Sequence, residues 1–112
     1  MIDFNAFRAL YEDAKTCDSE EKYVTERRWE DWMHGIPDSD KIADVLRRIY
    51  TMTNGGFTAI AKQYKNMRQM CEILDIPYST AQKWSVGHQK PAAYLLMLMI
   101  YATINYDKVH KS

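Results

Sequence analysis

The polar side chains best suited to bind another molecule lie in one short segment of the C-terminal half. Ala81 and Trp84, three residues apart, predict the apolar face of a helix, which leaves Ser79, Gln82 and Lys83 together on the opposite face. Hydroxyl, amide and ammonium groups can hydrogen-bond the base edges or the phosphates of a nucleic acid. The segment therefore predicts a polar binding surface on a helix.

A preceding helix and a tight turn would hold this surface. Asn66 can cap that helix, whose apolar residues recur at i, i+3, i+4 and i+7, namely Met67, Met70, Cys71 and Leu74. Pro77 ends it, because proline has no amide proton and disfavours helical dihedrals in the residue before it. Gly87 can adopt the left-handed conformation that ends the second helix. This arrangement predicts a helix-turn-helix, in which the second helix can enter a DNA major groove.

The order of residues in this segment resembles the small phage-repressor-like helix-turn-helix domains, of the XRE or Cro/CI type, found on mobile elements. The similarity covers about residues 55–105 and is carried by Ile76-Pro77-Tyr78, Ser79-Thr80, Gln82-Lys83-Trp84, Gly87 and Pro91. It implies that Ser79, Thr80, Gln82 and Lys83 contact DNA bases. Two positions differ, since Met67 stands where the family often has Gln and Ser85 where it usually has Glu.

The charge distribution suits a phosphate partner in the second half only. The net charge of the chain is zero, but residues 57–112 carry seven Lys or Arg against three acids, whereas residues 1–56 carry eight against twelve. Lys65, Arg68 and Lys90 lie where acids are sparse, so we expect them to contact backbone phosphates. Their alternative role is to keep the surface soluble. Because the whole chain is neutral, DNA binding should be modest and strongly dependent on salt.

Hydrophobic periodicity predicts an all-α, compact helical bundle of seven or eight helices. The predicted helices cover residues 2–15, 19–23, 25–33, 39–50, 57–64, 67–74 and 78–86, with a last helix from Pro91 to about Asn105. Asn54-Gly55-Gly56 is the clearest turn signal between them. It predicts two units, residues 1–54 and residues 55–112.

The two units share landmarks at similar spacing, which predicts two related helix-turn-helix units in tandem. Phe7 corresponds to Phe57, Trp32 to Trp84 and Gly35 to Gly87, at offsets of about 50 residues. The N-terminal copy is acidic, with Glu26, Glu30 and Asp31 among the residues that correspond to the polar face of the second copy. Carboxylates repel phosphates, so we expect this copy to be a scaffold or a protein-binding face.

The acidic face supports a second functional hypothesis of a different class. With Asp18, Glu20 and Glu21 beside Glu26, Glu30 and Asp31, the N-terminal unit could bind a protein partner, as an anti-CRISPR-type inhibitor of a nuclease or as an antitoxin would. Fold alone does not decide between this hypothesis and DNA binding. Reversal of these charges should abolish capture of such a partner.

Other classes of function find no support in the sequence. No nucleophile lies beside a base in a known motif, no glycine-rich phosphate loop is present, and Cys17 and Cys71 stand alone, so we predict no enzyme, cofactor or metal site. We expect a cytoplasmic protein without a signal peptide or membrane segment. The last helix is apolar on nearly every side, which indicates either the central helix of the core or the seam of a homodimer.

Overall fold

A computed structural model of the protein describes residues 2–25 and 39–110. In these two ranges the chain forms helices and no strands, which confirms the predicted all-α class. The helices are α1 (Phe4–Thr16), α2 (Glu20–Thr25), α3 (Ser39–Ala61), α4 (Met67–Leu74), α5 (Tyr78–Ser85) and α6 (Ala93–His110). The helix predicted over residues 25–33 falls, apart from Thr25, outside the described residues.

Polar side chains cap the starts of three helices, and α1 begins at Phe4 instead of at the predicted Ile2. The Asp3 carboxylate accepts a hydrogen bond from the Ala6 amide at 3.0 Å, and Ser19 Oγ accepts one from the Lys22 amide at 3.2 Å. Asn66 Oδ1 caps α4 by accepting from the Gln69 amide at 2.7 Å. Each cap satisfies an amide that has no partner inside its own helix, which fixes the first turn.

Helix α3 is the central element, because α1, α2, α5 and α6 all pack against it. Its inner face buries Ile42, Val45, Leu46, Ile49 and Met52. Helical spacing predicts an apolar stripe from Ile42 to Tyr50, and Tyr50 at its end is half-buried. Gly56 interrupts the helix with φ 71° and ψ −152°, dihedrals that only glycine adopts readily. The predicted turn at residues 54–56 is therefore a kink inside one long element.

The last helix lies partly in the core and partly at the surface. It begins at Ala93, two residues after Pro91, and continues to His110, so the predicted bounds of Pro91 and Asn105 were wrong. Its buried side chains are Met99, Ile100, Thr103 and Ile104, whereas Tyr94 and Leu98 at its beginning are 68% and 43% exposed. Burial thus accounts for the apolar residues of its second half, and Leu95 and Leu96 also pack against the core, but burial does not account for Tyr94 and Leu98.

Buried and half-buried hydrogen bonds join the helices across the core. The Tyr23 hydroxyl donates to the Leu10 carbonyl at 2.7 Å, and the Asn54 amide donates to the Ala14 carbonyl at 3.1 Å. The Ile2 amide donates to Asn105 Oδ1, which ties the start of the chain to α6. Buried side chains from both predicted units form a continuous cluster.

The tandem origin of the two units stays a prediction. Trp32 and Gly35, which define the first copy, lie outside the described residues, as do Glu26, Glu30 and Asp31. Within residues 2–25 and 39–110, no helix combines the length and the apolar character that a bilayer crossing requires.

Candidate nucleic-acid interface

Helices α4 and α5 are joined by a turn of three residues. Asp75 ends α4 in the left-handed conformation, with φ 56° and ψ 48°, and its amide donates to the Cys71 carbonyl. The Ile76 amide also donates to that carbonyl, at 3.0 Å. Pro77 then precedes α5 with φ −58° and ψ 132°. The predicted pair of short helices is present at the predicted position.

The inner face of α5 is anchored in the core by two residues. Ala81 is completely buried, and the half-buried Trp84 ring meets the Phe57 ring edge to face, with centroids 5.4 Å apart. The contact between the Trp84 and Phe57 rings attaches α5 to the segment of α3 that follows Gly56. Because the two anchors lie three residues apart, they fix which side of α5 faces outward.

The outward side of α5 carries three of the four predicted base-contacting residues. Ser79, Gln82 and Lys83 are all exposed, whereas Thr80 is half-buried. We call Ser79, Gln82 and Lys83 the α5 outer face. Thr80 lies at the edge of this face, and its amide donates to the Pro77 carbonyl at 3.0 Å.

The exit from α5 is a Schellman motif built on Gly87. Gly87 has φ 82°, its amide donates to the Trp84 carbonyl at 3.3 Å, and the His88 amide donates to the Lys83 carbonyl at 3.0 Å. These bonds satisfy carbonyls that the end of the helix would otherwise leave without partners. The motif turns the chain away from α5, and the exposed Lys90 follows three residues later.

The start of α5 has no side-chain cap, unlike the starts of α1 and α4. Pro77 occupies the capping position and offers no side-chain acceptor to the first amides of the helix. Amides at the beginning of a helix carry partial positive charge and suit an anionic ligand.

The predicted phosphate-contacting residues lie in three different settings, and all are exposed. Lys65 precedes α4, and its amide donates to Gln69 Oε1 at 2.7 Å, which orders the approach to that helix. Arg68 lies in the first turn of α4, and Lys90 lies between α5 and α6. Residues 62–90 as a whole contain five Lys or Arg and two acids, so this part of the chain is positively charged.

Tyr78 is a residue of this surface to which the sequence assigned no binding role. The guanidinium carbon of Arg68 lies 4.4 Å from the centroid of the Tyr78 ring, which is within the range of a cation–π contact. The contact joins the first turn of α4 to the first residue of α5. Arg68 and Tyr78 are ten positions apart in the sequence and lie on different helices, so helical periodicity gave no signal of the contact. Only the presence of an aromatic residue directly after Pro77 could have suggested it.

Cys71 lies beneath this surface and belongs to the core. Burial raises the pKa of its thiol, and the nearby positive charge of Arg68 opposes this to a smaller extent. A raised pKa keeps the sulfur protonated and unreactive at neutral pH. Cys71 is therefore a packing residue of α4, as its place on the apolar stripe predicted.

A shallow cleft on another part of the molecule is the alternative site for a ligand. It has a volume of about 190 Å³ and lies between α1 and the start of α6, where Arg8, Tyr11 and Tyr94 contribute to its lining. Small-molecule sites usually enclose roughly 300–1,000 Å³. The cleft is too small for such a ligand, so the α5 outer face remains the better candidate site.

Comparison of the chain with protein-family models, with curated proteins and with solved structures gives no match.

Proposed function

We propose that the protein binds duplex DNA in a sequence-specific manner, as a small transcriptional regulator of a phage or mobile element, with α5 in the major groove. The observation that carries the proposal is the division of α5 into two sides. Ala81 and Trp84 hold the inner side in the core, and the α5 outer face presents a hydroxyl, an amide and an ammonium group to solvent. Amide and ammonium groups are among those that read bases in the major groove.

The surroundings of α5 support a backbone contact beside the base contacts. Lys65, Arg68 and Lys90 are exposed, and the start of α5 lacks a side-chain cap. Phosphate contacts of this kind position a protein on the duplex, while the base contacts provide the specificity. In this proposal Ser79, Thr80, Gln82 and Lys83 contact bases, and Lys65, Arg68 and Lys90 contact phosphates.

A homodimer would allow the protein to read two half-sites. One helix-turn-helix contacts a single half-site, and repressors of this size commonly use two copies related by a two-fold axis. The exposed Tyr94 and Leu98 lie four residues apart on α6 and so share one side of that helix. We propose a second copy of the chain as the partner that covers them.

The test is a fluorescence-polarisation titration with the DNA upstream of the protein's own gene and with random duplex of equal length. The wild-type protein should prefer one sequence, and its affinity should fall steeply between about 50 mM and about 200 mM salt. Gln82→Ala should cost about 1–3 kcal/mol on that sequence and less on random duplex. Lys90→Ala should weaken binding to both duplexes and reduce the salt slope by about 1.

Lys22→Ala is the matched control, because Lys22 is an exposed lysine on α2. It removes one positive charge from the protein without touching α4 or α5, so it should leave the affinity and the salt slope nearly unchanged. If Lys22→Ala and Lys90→Ala lose the same amount of DNA affinity, the effect of Lys90→Ala arises from the net charge of the protein and not from a phosphate contact. Wild-type protein that does not bind either duplex at low salt would refute the proposal.

A protein-interaction role is the second candidate, and the acidic start of α2 favours it. Asp18, Glu20 and Glu21 are all exposed, and such a surface could occupy the basic channel of a nucleic-acid-binding protein. Reversal of these three charges to lysine should abolish binding to such a partner and should leave the Gln82-dependent DNA binding intact. Loss of DNA binding in this variant would instead indicate that the N-terminal part supports α5.

A further inference from the structure

We infer that Tyr78 is a positioning residue that holds the Arg68 guanidinium at the start of α5 so that it can contact a DNA backbone phosphate. The inference rests on the proposed DNA-binding function and deepens it. It assigns a role to a residue to which the sequence assigned no binding role, and it makes the two helices of the motif act together on one phosphate.

The side chains of Arg68 and Tyr78 are in direct contact. The Arg68 guanidinium carbon lies 4.4 Å from the Tyr78 ring centroid, well inside the distance of about 6 Å at which a cation is attracted to the face of an aromatic ring. Tyr78 is half-buried and packs against the core, so its ring is held in place. Arg68 is exposed and would otherwise sample many rotamers in solvent.

The contact leaves the guanidinium free to bind an anion. The Tyr78 ring offers the guanidinium its π face and not an oxygen acceptor, so the contact does not pair the five N–H groups with hydrogen-bond acceptors. Among the described residues no carboxylate forms an ion pair with Arg68, although Glu72 lies one turn further along the same helix. Its donors therefore remain available for a phosphate.

The contact between Arg68 and Tyr78 lies at the start of α5. Tyr78 is the first residue of α5 and is followed directly by Ser79 of the α5 outer face. The start of α5 has no side-chain cap, so the ring that Arg68 contacts belongs to the first residue of a helix end that also favours an anion. A phosphate bound there would receive donors from α4 and from α5, which would fix the depth and the angle of α5 in the groove.

The test is a double-mutant cycle read by DNA binding, with Arg68→Ala and Tyr78→Leu alone and combined. Arg68→Ala should reduce the salt slope by about 1. Tyr78→Leu removes the ring and should weaken binding roughly two- to fivefold, the size of an exposed cation–π contact. Tyr78→Phe keeps the ring and should retain the wild-type affinity and salt slope. Circular dichroism and thermal unfolding show whether each variant is folded.

The cycle separates positioning from simple support of the fold. If Tyr78 positions Arg68, Arg68→Ala should cost roughly two- to fivefold less in the Tyr78→Leu background than in the wild type. An equal cost in both backgrounds would overturn the inference, because Tyr78 would then act independently of Arg68. An unchanged affinity and salt slope in Arg68→Ala, while Gln82→Ala still weakens binding, would overturn it and leave the proposed function standing. Absence of DNA binding by the wild type would overturn both.

Discussion

The Tyr64 hydroxyl and the Thr103 hydroxyl lie 2.7 Å apart and join the segment after α3 to the middle of α6. Thr103 Oγ1 donates its own proton to the Met99 carbonyl, also at 2.7 Å, so Tyr64 is the donor to Thr103. In the described part of the core, Thr103 is the buried residue with a polar side chain. Its hydroxyl is satisfied from both sides, which makes burial possible in an otherwise apolar layer.

This pair gives the first prediction, on stability. Tyr64→Phe should lower the free energy of unfolding by about 0.5–1.5 kcal/mol, because Thr103 loses one of its two hydrogen bonds. Thr103→Val should cost at least as much. The double variant should lower the free energy of unfolding by less than the sum of the two single variants. The reason is that removing both hydroxyls together leaves neither one buried without its partner. Urea unfolding measures all three.

Thr51→Val is the control for this series, because Thr51 is exposed on α3. Loss of its hydroxyl should change the free energy of unfolding by less than about 0.5 kcal/mol. If the changes in the free energy of unfolding caused by Tyr64→Phe and Thr103→Val are strictly additive in the double variant, the hydrogen bond between the two residues is contradicted.

The second prediction concerns the kink at Gly56. An added Cβ would meet no atom within 4 Å, so any cost of Gly56→Ala arises from the backbone alone. At φ 71° and ψ −152° that cost should be about 1–3 kcal/mol in the free energy of unfolding.

Gly87 provides the matched comparison, because it has φ 82° in the Schellman motif. Asparagine tolerates the left-handed region, so Gly87→Asn should cost little, whereas Gly56→Asn should be as harmful as Gly56→Ala. Thermal unfolding of Gly56→Ala, Gly56→Asn and Gly87→Asn checks this. A harmless Gly56→Asn would mean that α3 can continue as a regular helix through this position.

The third prediction is that the two cysteines differ in reactivity. Cys71 is 6% exposed and burial raises the pKa of its thiol, whereas Cys17 is half-buried at the end of α1. A thiol reagent at neutral pH should modify Cys17 in the folded protein and should modify Cys71 only after denaturant is added. Rapid modification of both, with the fold intact, would contradict the burial of Cys71.

The raised pKa of Cys71 also sets the direction of a pH effect on stability. Above the ordinary cysteine pKa the unfolded thiol ionises while the folded one stays protonated, so the contribution of Cys71 to stability is lost as pH rises through its folded pKa. The free energy of unfolding should therefore fall less steeply in alkaline solution for Cys71→Ala than for the wild type. If the free energy of unfolding falls equally steeply with pH in the wild type and in Cys71→Ala, the raised pKa of Cys71 is contradicted.

The fourth prediction concerns the proposed homodimer. If a second copy covers the start of α6, the combined variant Tyr94→Ser and Leu98→Ser should be a monomer in sedimentation velocity at concentrations where the wild type is a dimer. Val86→Ser is the control, because Val86 is 67% exposed but lies after α5 rather than on α6. It should leave the oligomeric state unchanged. A wild-type protein that stays monomeric at all concentrations would refute the dimer.

Much of the fold could be predicted because its signals are local. Ser19 and Asn66 marked the starts of α2 and α4, and Pro77 and Gly87 marked the turn before α5 and the end of α5, since capping and backbone restrictions act within a few residues. The bounds of α6 were wrong, because Pro91 is permitted in the first turn of a helix but does not have to occupy it.

The sequence by itself determined the helical periodicity, the turn between α4 and α5, and the side of α5 that faces outward. Only the tertiary structure decided that Arg68 rests on Tyr78, that Tyr64 bonds Thr103, and that one end of α6 is exposed while its other half is buried. The physical reason is distance along the chain. Periodicity reports which side of a helix is apolar, but contacts between residues far apart depend on how whole helices pack.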